Sequence, residues 1–195
     1  MMRILATVAA GTLLFAVAAC GTDEEAERER AEAEKQVAEL TEELEDLRQR
    51  LDEGKTCEKQ LSGFNRALGD LDAELNVGLN FHDYSESVRD AAVAYERIDV
   101  DDLADDCALE VGLPLEKALR KYVDAEEVWE ECFERLSCDL DSIDPKLQRL
   151  WAAAGDLIDQ ADDGISQLVS DIEDQITESE QELEQAESTL AKYEE

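Results

Sequence analysis

Between Ala33 and Leu51 the apolar residues Ala33, Val37, Leu40, Leu44, Leu47 and Leu51 recur at alternating steps of four and three, with charged side chains almost everywhere else. A second stripe, Ile165, Leu168, Ile172, Ile176, Ser179, Leu183, Ala186, Leu190 and Tyr193, repeats the rhythm near the other end of the chain. One helix cannot bury so narrow a seam by itself, so each stripe predicts a helix that pairs in coiled-coil fashion. The double step of four at Leu168, Ile172 and Ile176 is a stutter, which locally unwinds a supercoil.

The helical period continues between the stripes. Cys57, Leu61, Phe64, Leu68, Leu71 and Leu75 form one face that ends near Gly78. Asp83, with Glu86 three residues on, has the arrangement of a capping box before Val88, Ala91, Ala92, Tyr95 and Ile98. A short acidic helix is expected from about Asp101 to Leu109, carrying Cys107 and stopping before Gly112. Pro114 and Pro145 read as helix starts, because proline's missing N–H costs nothing at the first helical position. Pro114 then opens a helix through Leu115, Leu119, Tyr122, Trp129, Phe133 and Leu136. Pro145, with Asp144 as cap, opens a last helix through Leu147, Trp151, Ala154, Ile158 and Ala161 that runs to Tyr193, about 70 Å at helical rise. No segment alternates with period two, so no sheet is expected.

Eight of the ten aromatic residues lie between Phe64 and Trp151, which places a single core in residues 57–163. The flanking stretches 20–56 and 164–195 then form a stalk. Asp23–Glu53 and Ile165–Glu195 have equal lengths, roughly 46 Å each as helices, and match as antiparallel partners, with Gly54 and Gly164 at one height where stalk meets bundle. Above that height, helices from Cys57, Tyr84, Pro114 and Pro145 alternate up, down, up and down. The expected fold is all-α: a disulfide-stapled helical bundle on an antiparallel coiled-coil stalk. A homodimer through the stalk is the rival pairing.

Residues 1–19 change the picture of where this rod sits. Arg3 is their only charge, an apolar run follows, and Val17-Ala18-Ala19 stand directly before Cys20. This pattern resembles the signal peptide of bacterial lipoproteins, with residues 1–19 as the signal. The resemblance implies cleavage before Cys20, a diacylglyceryl group on its sulfur and acylation (typically palmitate) of the new amine, and so a partner membrane, bacterial cell membrane or outer membrane, on its extracytoplasmic side. Two or more acyl chains hold a protein at a bilayer durably, where one does not. It covers residues 1–22 only, and nothing later resembles a nameable family; the chain's end at Lys192-Tyr193-Glu194-Glu195 differs from the terminal lysine of murein-linked lipoproteins.

An oxidising compartment gives the remaining four cysteines a meaning. Cys57, Cys107, Cys132 and Cys138 allow three disulfide connectivities, and none forms a CxxC pair. In the up-and-down arrangement Cys57 and Cys107 share the lower end and Cys132 and Cys138 flank the upper turn. The expected bridges are therefore Cys57–Cys107, worth about 4 kcal/mol by loop closure, and Cys132–Cys138, about 2.4 kcal/mol.

Charge excludes several functions. Loss of Arg3 with the signal leaves 17 of the 18 basic residues against 52 acidic ones, so nucleic acid and anionic lipid are repelled. The excess is read as solubility or salt adaptation. Within the stalk, 14 acids face 5 bases in Asp23–Glu53 and 10 face 1 in Ile165–Glu195. Exposed ion pairs contribute at most about 1 kcal/mol, so the apolar seam has to hold the stalk against this repulsion.

The candidate chemistry is thin. Gly54-Lys55-Thr56 has the end of a phosphate-binding loop, but Gln49 stands where the earlier glycine belongs. Asp99–Glu110 has acids at four EF-hand positions yet Ala104 at the turn and Leu103 at a ligand position, so it reads as an acidic helix. His82 beside Asp83 and Glu86 reads as a loop residue before a helix, not a metal ligand. Serine catalysis would need that same histidine as base and has no strand-turn-helix elbow. Trp129, Phe133 and Trp151 read as core. The expected function is a non-enzymatic envelope lipoprotein without cofactor, a helical spacer or docking module for an envelope protein partner; the alternative is a solute- or divalent-cation-binding lipoprotein of a transport system.

Overall fold

Heptad spacing carries helix α1 from Asp23 to Val77 without interruption, 55 residues in all. The computed structural model to which it belongs describes residues 23–135 and 139–193, which are helical apart from short connections. After α1 come α2 (Phe81–Tyr95), a 3₁₀ turn (Val100–Asp102), the single turn α3 (Asp105–Cys107), a π turn (Ala108–Gly112), α4 (Leu113–Glu134) and α5 (Leu140–Leu190), closed by a 3₁₀ turn to Tyr193. No strand occurs among the described residues. Residues 1–19, expected to be a signal, and Cys20, Leu136 and Cys138 lie outside them, so the expectations placed on those residues have no structural counterpart here.

α1 and α5 run antiparallel along nearly their whole length. Glu29 meets Tyr193, Arg48 meets Glu180, Lys55 meets Glu173 and Asn65 meets Asp162, one index falling as the other rises. The two seams bury each other: Ala33, Leu40, Leu44 and Leu47 on α1 lie under Ile172, Ser179 and Ala186 on α5. Leu44 and Leu47 keep only 3% of their surface, and each such leucine contributes about 1.5–3 kcal/mol through burial. The stalk is thus the antiparallel coiled coil that the two stripes predict, closed within one chain.

Near Gly54 the heptads of both helices slip together. On α1 the inward positions step Leu51, Gly54, Cys57, two threes in succession, with Leu51 half-buried, while on α5 Leu168, Ile172 and Ile176 take two fours. The first overwinds a supercoil and the second unwinds it. Gly54, predicted as the end of the first helix, is instead an interior residue of α1. It is small because α5 crosses on top of it: a Cβ at Gly54 would stand 2.1 Å from the Leu168 carbonyl oxygen.

Above this crossing the upper half of α1, α2, α4 and the first half of α5 alternate up and down around one core. Leu61, Phe64, Leu68, Leu71, Tyr84, Ala91, Leu115, Tyr122 and Ala154 are almost wholly buried there. α1 stops at Gly78, whose φ of 101° is the left-handed conformation open to glycine, and whose amide bonds back to the Glu74 carbonyl.

Three expected boundaries move. α2 is capped by Asn80, not Asp83: the Asn80 Oδ1 accepts from the Asp83 amide at 3.1 Å and its Nδ2 donates to the Asp83 carboxylate at 2.6 Å, so Asp83 is the third residue of the helix and not its cap. His82 consequently lies in the first turn of α2, not in a loop. The chain does not stop before Gly112, which has helical dihedrals and leads straight into α4; Pro114 lies in the first turn of α4, as its helix-start reading expects. A proline ring collides with the carbonyl four residues back in α geometry; the π turn at Ala108–Gly112 relieves this by widening the helix just ahead of Pro114. The carbonyl concerned, of Glu110, turns toward Gly164 of α5, where a Cβ would lie 2.7 Å from it. Finally, α5 begins at Leu140 with Asp139 as cap, its Oδ1 accepting from the Asp141 amide, and Pro145 sits inside the helix behind Asp144.

Candidate functional site

Each of the four head helices lends one polar side chain to a chain of hydrogen bonds through the core. The Trp151 indole N–H of α5 donates to the Tyr84 hydroxyl of α2 at 3.1 Å. Tyr84 in turn donates to the backbone carbonyl of Tyr122 on α4 at 2.8 Å, and the Tyr122 hydroxyl donates to the Asp72 carboxylate of α1 at 3.0 Å. Asp72 reaches that position beside Gly155, whose missing side chain leaves room on α5. Burial raises the Tyr84 and Tyr122 hydroxyls well above the ordinary tyrosine value; the Trp151 hydrogen bond opposes this at Tyr84, and the Asp72 charge adds to it at Tyr122. Both therefore stay protonated at neutral pH and serve as donors that set the register of four helices. Buried polar networks of this kind specify one packing when every member is satisfied.

Around this relay stand the rings. Trp129 packs on Phe81, Tyr84 and Trp151 with centroids 5.7, 5.6 and 5.9 Å apart. These tilted and edge-on pairs fit the ring quadrupoles. Phe133 departs from the core assignment. It touches Phe81 at 5.2 Å but remains 56% exposed, because it occupies the last turn of α4 where the helices end and nothing among the described residues covers it.

At the base of the head Cys57 and Cys107 form the expected disulfide, with Cα atoms 5.7 Å apart and both side chains buried. It ties α1 to the turn that precedes the π segment. Cys132 is buried and disulfide-bonded, whereas its expected partner Cys138 falls outside the described residues. Cys20, the expected lipid attachment point, does so too.

His82, Asp83 and Glu86 are exposed on α2, and among the described residues no three histidine, cysteine or acidic side chains converge as a metal site would require. Asp99–Glu110 folds as the 3₁₀ turn, α3 and the start of the π turn, not as the single turning loop of an EF-hand. Lys55 of the loop-like Gly54-Lys55-Thr56 is helical and paired with Glu173 at 2.8 Å.

The residues that sequence reasoning missed as a group are Asp72, Tyr84, Tyr122 and Trp151. Their signal was a tyrosine on the buried face of each of two helices, since a buried hydroxyl needs a partner. Comparisons of the sequence with protein-family models, with curated proteins and with solved structures each return no match.

Proposed function

We propose that this protein is a non-enzymatic, lipid-anchored lipoprotein of the bacterial cell envelope, a spacer or docking module whose head is carried above the bilayer by the α1/α5 stalk. The observation that carries this reading is the antiparallel stalk itself. From Asp23 to Gly54, about 48 Å at helical rise, α1 runs against α5, its buried leucines facing the α5 seam, and the bundle builds up from the level of Gly54. A lipid on Cys20, three residues before α1, attaches at the stalk end farthest from the head. No helix among the described residues is long and apolar enough to cross a membrane. In this reading attachment comes from acyl chains, and the rod sets the distance.

Cys20→Ser tests it. Cells fed labelled palmitate should incorporate label into the wild-type chain and none into the variant, and the variant should leave the membrane fraction. A variant that stays on the membrane to the same extent sinks the proposal.

A further inference from the structure

Beside the disulfide, the surface opens into an apolar groove of about 180 Å³ between α1, the end of α2 and the π turn. Leu61 and Phe64 form its floor, each 1% exposed, and belong to the core. Its rim is different: Val100 is 55% exposed, Leu109 60% and Leu113 38%, three aliphatic side chains in water around one depression. Small-molecule sites usually enclose about 300–1,000 Å³, so this volume suits a single large side chain of a polypeptide. The groove has a firm frame, since Cys57–Cys107 fixes one wall to α1 and the π turn, a feature often found at functional positions, supplies the other.

Charge selects among occupants. Between Glu96 and Glu116, the stretch that builds most of the rim, the chain carries eight carboxylates against one base, Arg97; of these acids Glu116 lines the groove itself, paired with Arg120, and Lys117 and Lys121 follow it on α4. A second copy of this chain would bring the same acids, and its own formal charge of −34, against them. Anionic lipid and nucleic acid meet the same repulsion.

We propose that this groove docks a cationic segment of a protein partner, one that inserts a leucine- or phenylalanine-sized side chain over Leu61 and Phe64 while flanking lysines or arginines face the acidic rim. This deepens the docking reading above, resting on its docking half and not on the lipid anchor. Apolar insertion supplies most of the affinity and the charges supply encounter rate and selectivity.

The test uses the full-length chain and two synthetic peptides of equal length and equal lysine content, one with a central Leu-Phe pair and one with serines there. Calorimetry should show the Leu-Phe peptide binding at least about tenfold tighter, since burying one such side chain is worth that much or more. Leu109→Ser with Leu113→Ser should abolish the difference while leaving the thermal melt unchanged, and Val100→Ser alone should reduce it. Added salt should weaken both peptides. Equal binding of the two peptides, equal binding by the rim variants, or concentration-dependent self-association lost in those variants would overturn the proposal. The two readings fail separately: a Cys20→Ser chain that leaves the membrane while the peptides bind alike refutes the groove alone, whereas retention on the membrane with selective peptide binding supports the groove and refutes the anchor.

Discussion

Gly54 of α1 lies directly beneath Leu168 of α5, so close that any Cβ on the glycine would sit 2.1 Å from the leucine's carbonyl oxygen. Backbone, not a flexible side chain, occupies that space, so the helices must part to admit even a methyl group. Gly54→Ala is expected to destabilise the protein by about 1–3 kcal/mol, the usual cost of overpacking. Gly63→Ala, nine residues on in the same helix, has open space around it and should stabilise by roughly 0.5–1 kcal/mol through helix propensity. Urea unfolding of the two variants decides the matter: shifts of the same sign would mean that the crossing at Gly54 is not as tight as described.

The Trp151–Tyr84–Tyr122–Asp72 relay predicts alkaline lability. Both tyrosines have folded-state pKa values raised above the ordinary 10.0, chiefly by burial, so above that pH the unfolded chain gives up protons that the native chain keeps. Stability is therefore complete below pH 10.0 and falls as pH rises beyond it, by up to about 2.7 kcal/mol per pH unit for two groups. Tyr84→Phe should halve that slope. It should also lower stability at neutral pH by about 1–3 kcal/mol, because the Trp151 N–H loses its acceptor. Tyrosinate absorbance followed through a pH titration reads the effect directly, and a variant with the wild-type alkaline slope would refute the network's role.

The long-period pattern was readable from sequence because it is set by burial: Leu40, Leu44, Leu61, Leu68, Leu115 and Ile158 all sit on the faces that their spacing predicts. The pairing of Cys57 with Cys107 followed from helix direction alone. What misled were local breakers. Gly54, Gly112 and Pro145 carry the signals of helix ends, yet the helices keep running there, at Gly54 by using the glycine for a close crossing and at Gly112 through a π turn that leads into α4. Asp83 looked like a cap because Glu86 follows it at capping-box spacing, but Asn80, three residues earlier, takes that place. The relay was hidden for a further reason: its bonds join residues 38, 50 and 67 positions apart, and no local pattern encodes such a meeting.

Cys57–Cys107 closes a loop spanning 50 positions, so the chain-entropy account assigns it about 4 kcal/mol. Cys57→Ala with Cys107→Ala should lower unfolding stability by that order. The loss should concentrate at the base of the head, where Cys107 fixes the turn leading into the π segment. Hydrogen exchange should accelerate at Val111 and Leu115 more than at Leu40 and Leu44 in the stalk. Uniform acceleration throughout would show that the bridge acts on the chain as a whole and not on that junction.

The stalk offers the sharpest contrast between apolar and ionic contributions. Arg48–Glu180 and Lys55–Glu173 cross between α1 and α5 at 2.8 Å, but all four side chains are about half exposed. Such pairs contribute at most about 1 kcal/mol, so Arg48→Ala should cost less than that. Leu44 is 3% exposed in the seam, and Leu44→Ala should cost about 2–5 kcal/mol. Salt separates the terms further. Acids outnumber bases along both stalk helices, so screening relieves more repulsion than it removes attraction, and the melting temperature should rise between low and physiological salt. Spin labels on the exposed flanks of the seam near Leu44 and Leu183 should report a short distance at every salt concentration. If Arg48→Ala proved as damaging as Leu44→Ala, or if added salt lowered the melting temperature, ion pairs and not the leucine seam would be holding the rod together.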